Sequence, residues 1–156
     1  YDHVLKGTND KGDIYHEFFN TPFAHQLDHL QKTQALAKEK ANIILRTFGA
    51  PGNGIDDTTT EALAQVPELK VWLYGKNESP LYNLKRTINL EYPVHNPDFA
   101  SFQENYDSDQ PCLVLQMHPN SWDDQRFGQF DQIIQLLKKH NAAFVLPYDS
   151  YLQQSA

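Results

Sequence analysis

Short apolar runs that alternate with helix signals constrain this chain most. Ile43 to Thr47 (IILRT), Lys70 to Tyr74 (KVWLY), Cys112 to Gln116 (CLVLQ) and Ala143 to Leu146 (AFVL) are of this kind. Each has the length and the branched or aromatic content of a buried strand, and each is too short for a core helix. The stretches between them carry apolar residues at helical spacing. Such alternation predicts an α/β fold with a mostly parallel sheet or a barrel. In those folds, functional residues gather on loops at the carboxyl ends of strands.

Residues 1–13 are rich in Gly, Asn and Asp and read as a loop. The first helix is predicted to start near Asn20-Thr21-Pro22, with Asn20 or Thr21 as cap and Pro22 in the first turn. Phe23, Leu27, Leu30 and Ala37 then form its apolar face, and it runs to about Lys40. Thr58-Thr59-Thr60-Glu61 has the form of a capping box for a short helix that stops before Pro67. Residues 75–83 read as a turn-rich connection, Thr87 to Val94 as a strand broken by Pro93, and Asp98 to Tyr106 as a short helix. Ser121 or Asp123 caps the clearest helix, with Phe127, Phe130, Ile134 and Leu137 on one face and Asn141 as its stop. Pro147 is predicted to end the last strand.

Composition narrows the function classes. With 156 residues, 40% of them hydrophobic, the chain can bury one domain core and is not disordered. The net charge is −7, and Lys and Arg are dispersed apart from Lys85-Arg86 and Lys138-Lys139. Nucleic-acid binding needs a concentrated positive face, so no nucleic-acid partner is expected, and a neutral or sugar-like ligand suits the surface better. No apolar run reaches the roughly 18 residues of a membrane span. The single cysteine, Cys112, precedes an apolar run and is expected to be buried. The chain starts abruptly at Tyr1-Asp2-His3 without a methionine, so an upstream segment is expected.

Two strand-end loops are the candidate sites. The first is Arg46 to Asn53 (RTFGAPGN), whose glycines let backbone approach a ligand and whose N–H groups suit an oxyanion. The bland reading is a tight turn that needs positive φ. The second is Leu113 to Trp122 (LVLQMHPNSW). His118, just past a buried strand and fixed by proline, is placed as a general acid or base, although a histidine there also serves structure alone. His3 beside Asp2 has the pairing of a zinc ligand and its orienting carboxylate, against a plain loop histidine. His25 and His29 share one side of the first helix, a spacing that can bind zinc. Gln26 stands where an HExxH helix has its glutamate, and a solvated polar face is the expected reading. Asp56-Asp57 and Asp123-Asp124 sit at helix starts, where acids are favoured as caps. There is no GxSxG elbow, no Gly-Lys-Ser/Thr phosphate loop and no GxGxxG after a strand.

Together these segments resemble the polysaccharide deacetylase family, the NodB-homology or family-four carbohydrate esterase domain. Tyr1-Asp2-His3 is similar to the end of the family's HxxxH metal motif, with His3 as its second histidine. Phe48 to Asn53 resembles the Arg-Pro-Pro-Tyr-Gly groove loop, with Gly49 in place of its arginine and Arg46 as the substitute from the strand end. Leu113 to Pro119 resembles the late Leu-x-x-His motif, whose histidine is the family's general acid. The resemblance implies that residues 1–156 form a single domain, the C-terminal part of a deformed (β/α) barrel whose N-terminal strands are missing. It implies metal-dependent removal of acetyl groups from a carbohydrate. Zinc is the divalent metal, His3 a ligand, His118 the acid, and Arg46, Pro51, Gly52, Asn53 and Trp122 the substrate and oxyanion groove. The remaining ligands and the base, an aspartate pair, lie outside the chain. The alternative is an inactive carbohydrate-binding relative of the same fold. A further expectation is assembly with an N-terminal segment supplied as a separate chain. The family's members act mostly on cell-surface or external glycans, which favours an extracellular or periplasmic setting.

Overall fold

The computed structural model describes residues 1–154. By its internal contacts the chain divides into two compact units, Tyr1–Leu84 with the chain from Leu146, and Lys85–Val145.

The first unit opens with a small antiparallel pair, β1 (Gly7–Thr8) and β2 (Ile14–Tyr15). The helix α1 (Phe23–Ala41) follows and ends at Asn42, which takes the left-handed conformation usual for a stop. Pro22, rather than Asn20 or Thr21, occupies the cap position. Asn20 instead donates its N–H to Asp56 (2.8 Å), and the Thr21 hydroxyl donates to the Glu17 carbonyl (3.1 Å). Of the expected apolar face of α1, Leu30 is buried and Leu27 packs against the core, while Phe23 is exposed; Gln26 and His29 are buried beside Leu30.

β3 (Thr47–Phe48), β4 (Val71–Leu73) and β5 (Tyr82–Leu84) form a parallel three-stranded sheet in that order. β5 lies where a turn-rich connection was expected. β3 is shorter than the expected 43–47 strand because the Gln34 side chain stands in for a neighbouring strand. Its amide accepts from the Leu45 N–H (3.0 Å) and donates to the Leu45 carbonyl (2.8 Å). α2 (Asp57–Ala64) is capped by Asp56, which accepts from the Thr59 N–H while the Thr59 hydroxyl accepts from the Asp56 N–H. The capping box therefore starts two residues before the expected one. Phe18, Leu30, Phe48, Leu63, Val66 and Trp72 form the core of this unit. The last helix, α5 (Pro147–Gln154), begins at the proline predicted to end a strand. Phe144, Val145 and Leu146 before it are exposed and in no strand.

The second unit holds α3 (Phe99–Asn105) and α4 (Asp124–Lys139). Asp98 caps α3, and Asp123, not Ser121, caps α4. Ile133 and Leu137 are the buried face of α4. Of the expected face, Leu137 is buried and Phe130 packs against the core, while Phe127 is 48% exposed. Residues 87–90 and 112–116 form no regular ladder, and the chain bends at Ile88 and Leu90. Thr87 donates its N–H to the Val114 carbonyl (3.1 Å), and its hydroxyl takes the Val114 N–H (2.9 Å). The side chain thus takes a place that a strand neighbour's carbonyl would hold. Cys112 is exposed, not buried as expected. Ile88, Leu90, Phe102, Trp122, Ile133 and Leu137 make the core. No helix of the described residues is long and apolar enough to cross a membrane.

Candidate functional site

The second unit brings His118 onto a buried carboxylate. Ile88 and Leu90 turn into the core, and Glu91 follows them at the mouth of a tight turn closed by the Glu91–Pro97 bridge. The Tyr92 N–H to Asn96 carbonyl bond (2.7 Å) braces that turn. Glu91 Oε1 accepts from the His118 backbone N–H (2.7 Å) and from Trp122 Nε1 (3.1 Å). Glu91 Oε2 meets His118 Nδ1 at 2.6 Å. Burial raises the pKa of Glu91, but the bonds from the His118 ring and N–H, with the His95 N–H, outweigh it and hold the carboxyl below its ordinary range. The ionised carboxylate fixes the proton on His118 Nδ1. Nε2 is left as the exchanging nitrogen. The Glu91 side chain is only 4% exposed and that of His118 35%, so the anchor is shielded while the working ring reaches solvent. An imidazole oriented in this way can give or take a proton at Nε2.

Trp122 belongs to the anchor rather than to a sugar-stacking surface. It is 9% exposed and packs on Phe127 and Phe130 with ring centroids 5.3 Å away in each case. Sequence reasoning missed Glu91. Its signal was an acid directly after the Ile88/Leu90 alternation and before a proline turn. There a charge is costly unless it has donors.

The first unit assembles a second cluster. Glu17 is fully buried. It accepts from the N–H groups of Asp2 (2.9 Å) and Val4 (3.3 Å) and from the Tyr1 amino group, and it pairs with His29 Nδ1 (2.8 Å). Burial alone would raise the Glu17 pKa, yet these bonds lower it to about 2. The His25 ring lies 3.9 Å from that of His29, and His29 Nε2 is 3.7 Å from Asp2 Oδ2. Burial, with the charge of His29, lowers the pKa of His25 and favours its neutral form. The solvated-face reading of this pair therefore fails at His29, which is buried on a carboxylate. Two adjacent imidazoles, one of them oriented by a buried acid, are a donor set suited to a borderline divalent metal. Among the described residues, no three His, Cys, Asp or Glu side chains are grouped as a metal shell. His3 instead lines a mostly apolar cleft of about 300 Å³ with Phe18, Leu30, Leu45, Phe48 and Pro51.

The glycine loop is built as a 3-10 turn over Pro51–Asn53. Gly52 takes φ 60°, and a side chain on Gly54 would fall 2.6 Å from the His16 ring. The glycines thus serve the turn and its packing. Pro51 has no N–H to offer, and the Asn53 N–H already donates to the Ala50 carbonyl (3.0 Å). Neither is a free oxyanion donor. Arg46 donates to the Glu68 carbonyl (3.3 Å) and lies over the Tyr148 ring at 5.6 Å.

No protein-family model matches this chain, and no curated protein or solved structure matches it significantly.

Proposed function

We propose that the chain is part of a metal-dependent hydrolase that removes acetyl groups from a carbohydrate, built on a deformed (β/α) barrel. The single observation that carries the reading is the Glu91–His118 pair. A shielded acid on Nδ1 and a solvent-reaching Nε2 are what a proton donor to a leaving amine or alkoxide requires. The parallel β3–β4–β5 sheet agrees with the barrel class. The net charge of −7 suits a neutral glycan better than a polyanion.

In this reading His25 and His29, rather than His3, are the metal ligands within the chain, and zinc fits their chemistry best. A metal held there would polarise a carbonyl and lower the pKa of a bound water. Within the first unit Glu17 orients His29; within the second Glu91 orients His118, whose Nε2 would protonate a departing group.

The test is acetate release from acetylated chito- and xylo-oligosaccharides, with and without a chelator. The expected result is release that the chelator abolishes and zinc restores. Saturable sugar binding without release under any metal would favour the inactive carbohydrate-binding relative.

A further inference from the structure

His95 lies beside His118, and no part of the proposed mechanism uses it. It sits at φ 70°, a left-handed backbone that a bulky side chain adopts only when its surroundings enforce it. The surroundings do enforce it. The Asn96 N–H donates to the Pro93 carbonyl (2.9 Å), and Arg126 Nε on α4 donates to Asn96 Oδ1 (2.9 Å). The same Arg126 is held by the α4 cap, Asp123 (2.7 Å). A turn pinned on both sides therefore carries a strained histidine whose place a glycine or asparagine would fill at lower cost.

What the histidine gains is contact with the site. Its Nδ1 lies 3.3 Å from the His118 carbonyl oxygen, so the proton is on Nδ1 and Nε2 is free of that bond. Its ring centroid is 5.2 Å from that of His118, and its backbone N–H helps to hold the Glu91 carboxylate ionised. It thus touches His118 by ring and carbonyl, and the carboxylate behind it by backbone.

We propose that His95 is a positioning residue for His118, and that the two imidazoles titrate as one coupled pair. This rests on the reading of His118 as the proton-transfer group, though not on the identity of the substrate. The charged group bonded to the pair is Glu91, Trp122 contributes a neutral N–H to that carboxylate, and Arg126, paired with Asp123, is bonded to Asn96, the residue after His95. Glu91 favours the imidazolium form of His118. A proton on His95 opposes a second positive charge at about ring-contact distance, so the first proton is shared and the second is delayed. The pair then holds one exchangeable proton over a wider pH range than a lone histidine would.

The experiment is a pH titration of the His118 ring resonances by NMR in the full chain, comparing the wild type with His95→Asn. Asparagine tolerates the left-handed backbone, so the turn is kept, and the amide spectrum checks this. His95→Gln is the second variant, for the case in which asparagine perturbs the turn. The expected result is a broadened or two-step His118 titration in the wild type. In the variant a single step should appear, with its midpoint raised by roughly one unit. A His118 curve that is single-step in the wild type and unmoved in both variants would overturn the pairing. Acetate release measured on the same samples separates the two ideas. A moved titration with no release at any pH leaves the pair standing and removes the deacetylase reading. Release with an unmoved titration does the reverse.

Discussion

At the scale of single residues, the account rests on two buried carboxylates, each with an imidazole on one oxygen and backbone donors beside it. A carboxylate is removed from water only where donors replace the water. Glu91 has three such donors from His118 and Trp122. Glu91→Gln keeps the shape but sets an amide N–H₂ against one of those donors. The variant should lose about 1–3 kcal/mol at pH 7 in urea unfolding. Its acetate release should fall by roughly tenfold or more, because His118 loses the charge that orients it. The sign with pH follows from the depressed pKa of Glu91. Its ionised form stabilises the fold fully above the ordinary carboxylate pKa, and that contribution disappears as pH falls through the depressed folded value. The wild type and Glu91→Gln should therefore converge in stability on acidification. A gap that widens toward low pH would contradict this. His118 was legible in the sequence because it follows an apolar run and precedes a proline. Glu91 and Glu17 were not, since nothing in a single sequence distinguishes a buried acid with donors from an exposed one.

At the scale of elements, what was legible was periodicity, and what was lost was side chains acting as backbone. The helices α1 to α4 lie close to where their spacing and caps put them, and the parallel pairing of β3 and β4 around α2 agrees with the alternation of strand and helix, whereas β5 lies in a stretch read as a connection. The expected strand at 43–47 is shortened, and those at 87–94 and 112–116 are absent from the described ladders; Gln34 and the Thr87 hydroxyl take backbone partners there. Propensity cannot anticipate such a substitution, since it depends on a residue elsewhere in the chain. Asp56 shows how a local signal can be misread by two residues. It caps α2, takes the Asn20 N–H, and accepts from Gln26 Nε2 on α1 at 3.1 Å. Asp56→Ala removes a helix cap and a tie between α1 and α2 together. The expected cost is about 2 kcal/mol, the upper end for a cap, read from the urea midpoint with an unchanged slope. A cost under about 0.5 kcal/mol would show that the tie contributes nothing beyond ordinary surface polarity.

At the scale of the whole molecule, each compact unit contains one ionised buried acid, and this sets its response to acid. The His29 ring and the Asp2 N–H hold the Glu17 carboxyl below its ordinary value of 4.5. Its contribution is complete above about 4.5 and is lost as pH falls through the lowered value. Thermal unfolding followed by circular dichroism should accordingly show a midpoint that declines below pH 4.5, and Glu17→Gln should flatten that decline. A midpoint equally steep in the variant would mean that other groups govern acid unfolding. At this scale the proposed function is proton transfer by His118, and leaving-group dependence tests it most directly. The comparison is acetate release by the metal-loaded wild type and by His118→Ala, on an N-acetylated chito-oligosaccharide and on an aryl acetate. An aryl alkoxide departs without a proton, whereas an amine does not. The account predicts a loss of about 10²–10⁴ for His118→Ala on the amide and little loss on the aryl ester. Equal losses on both substrates, or none on the amide, would contradict the assignment of His118 as the acid.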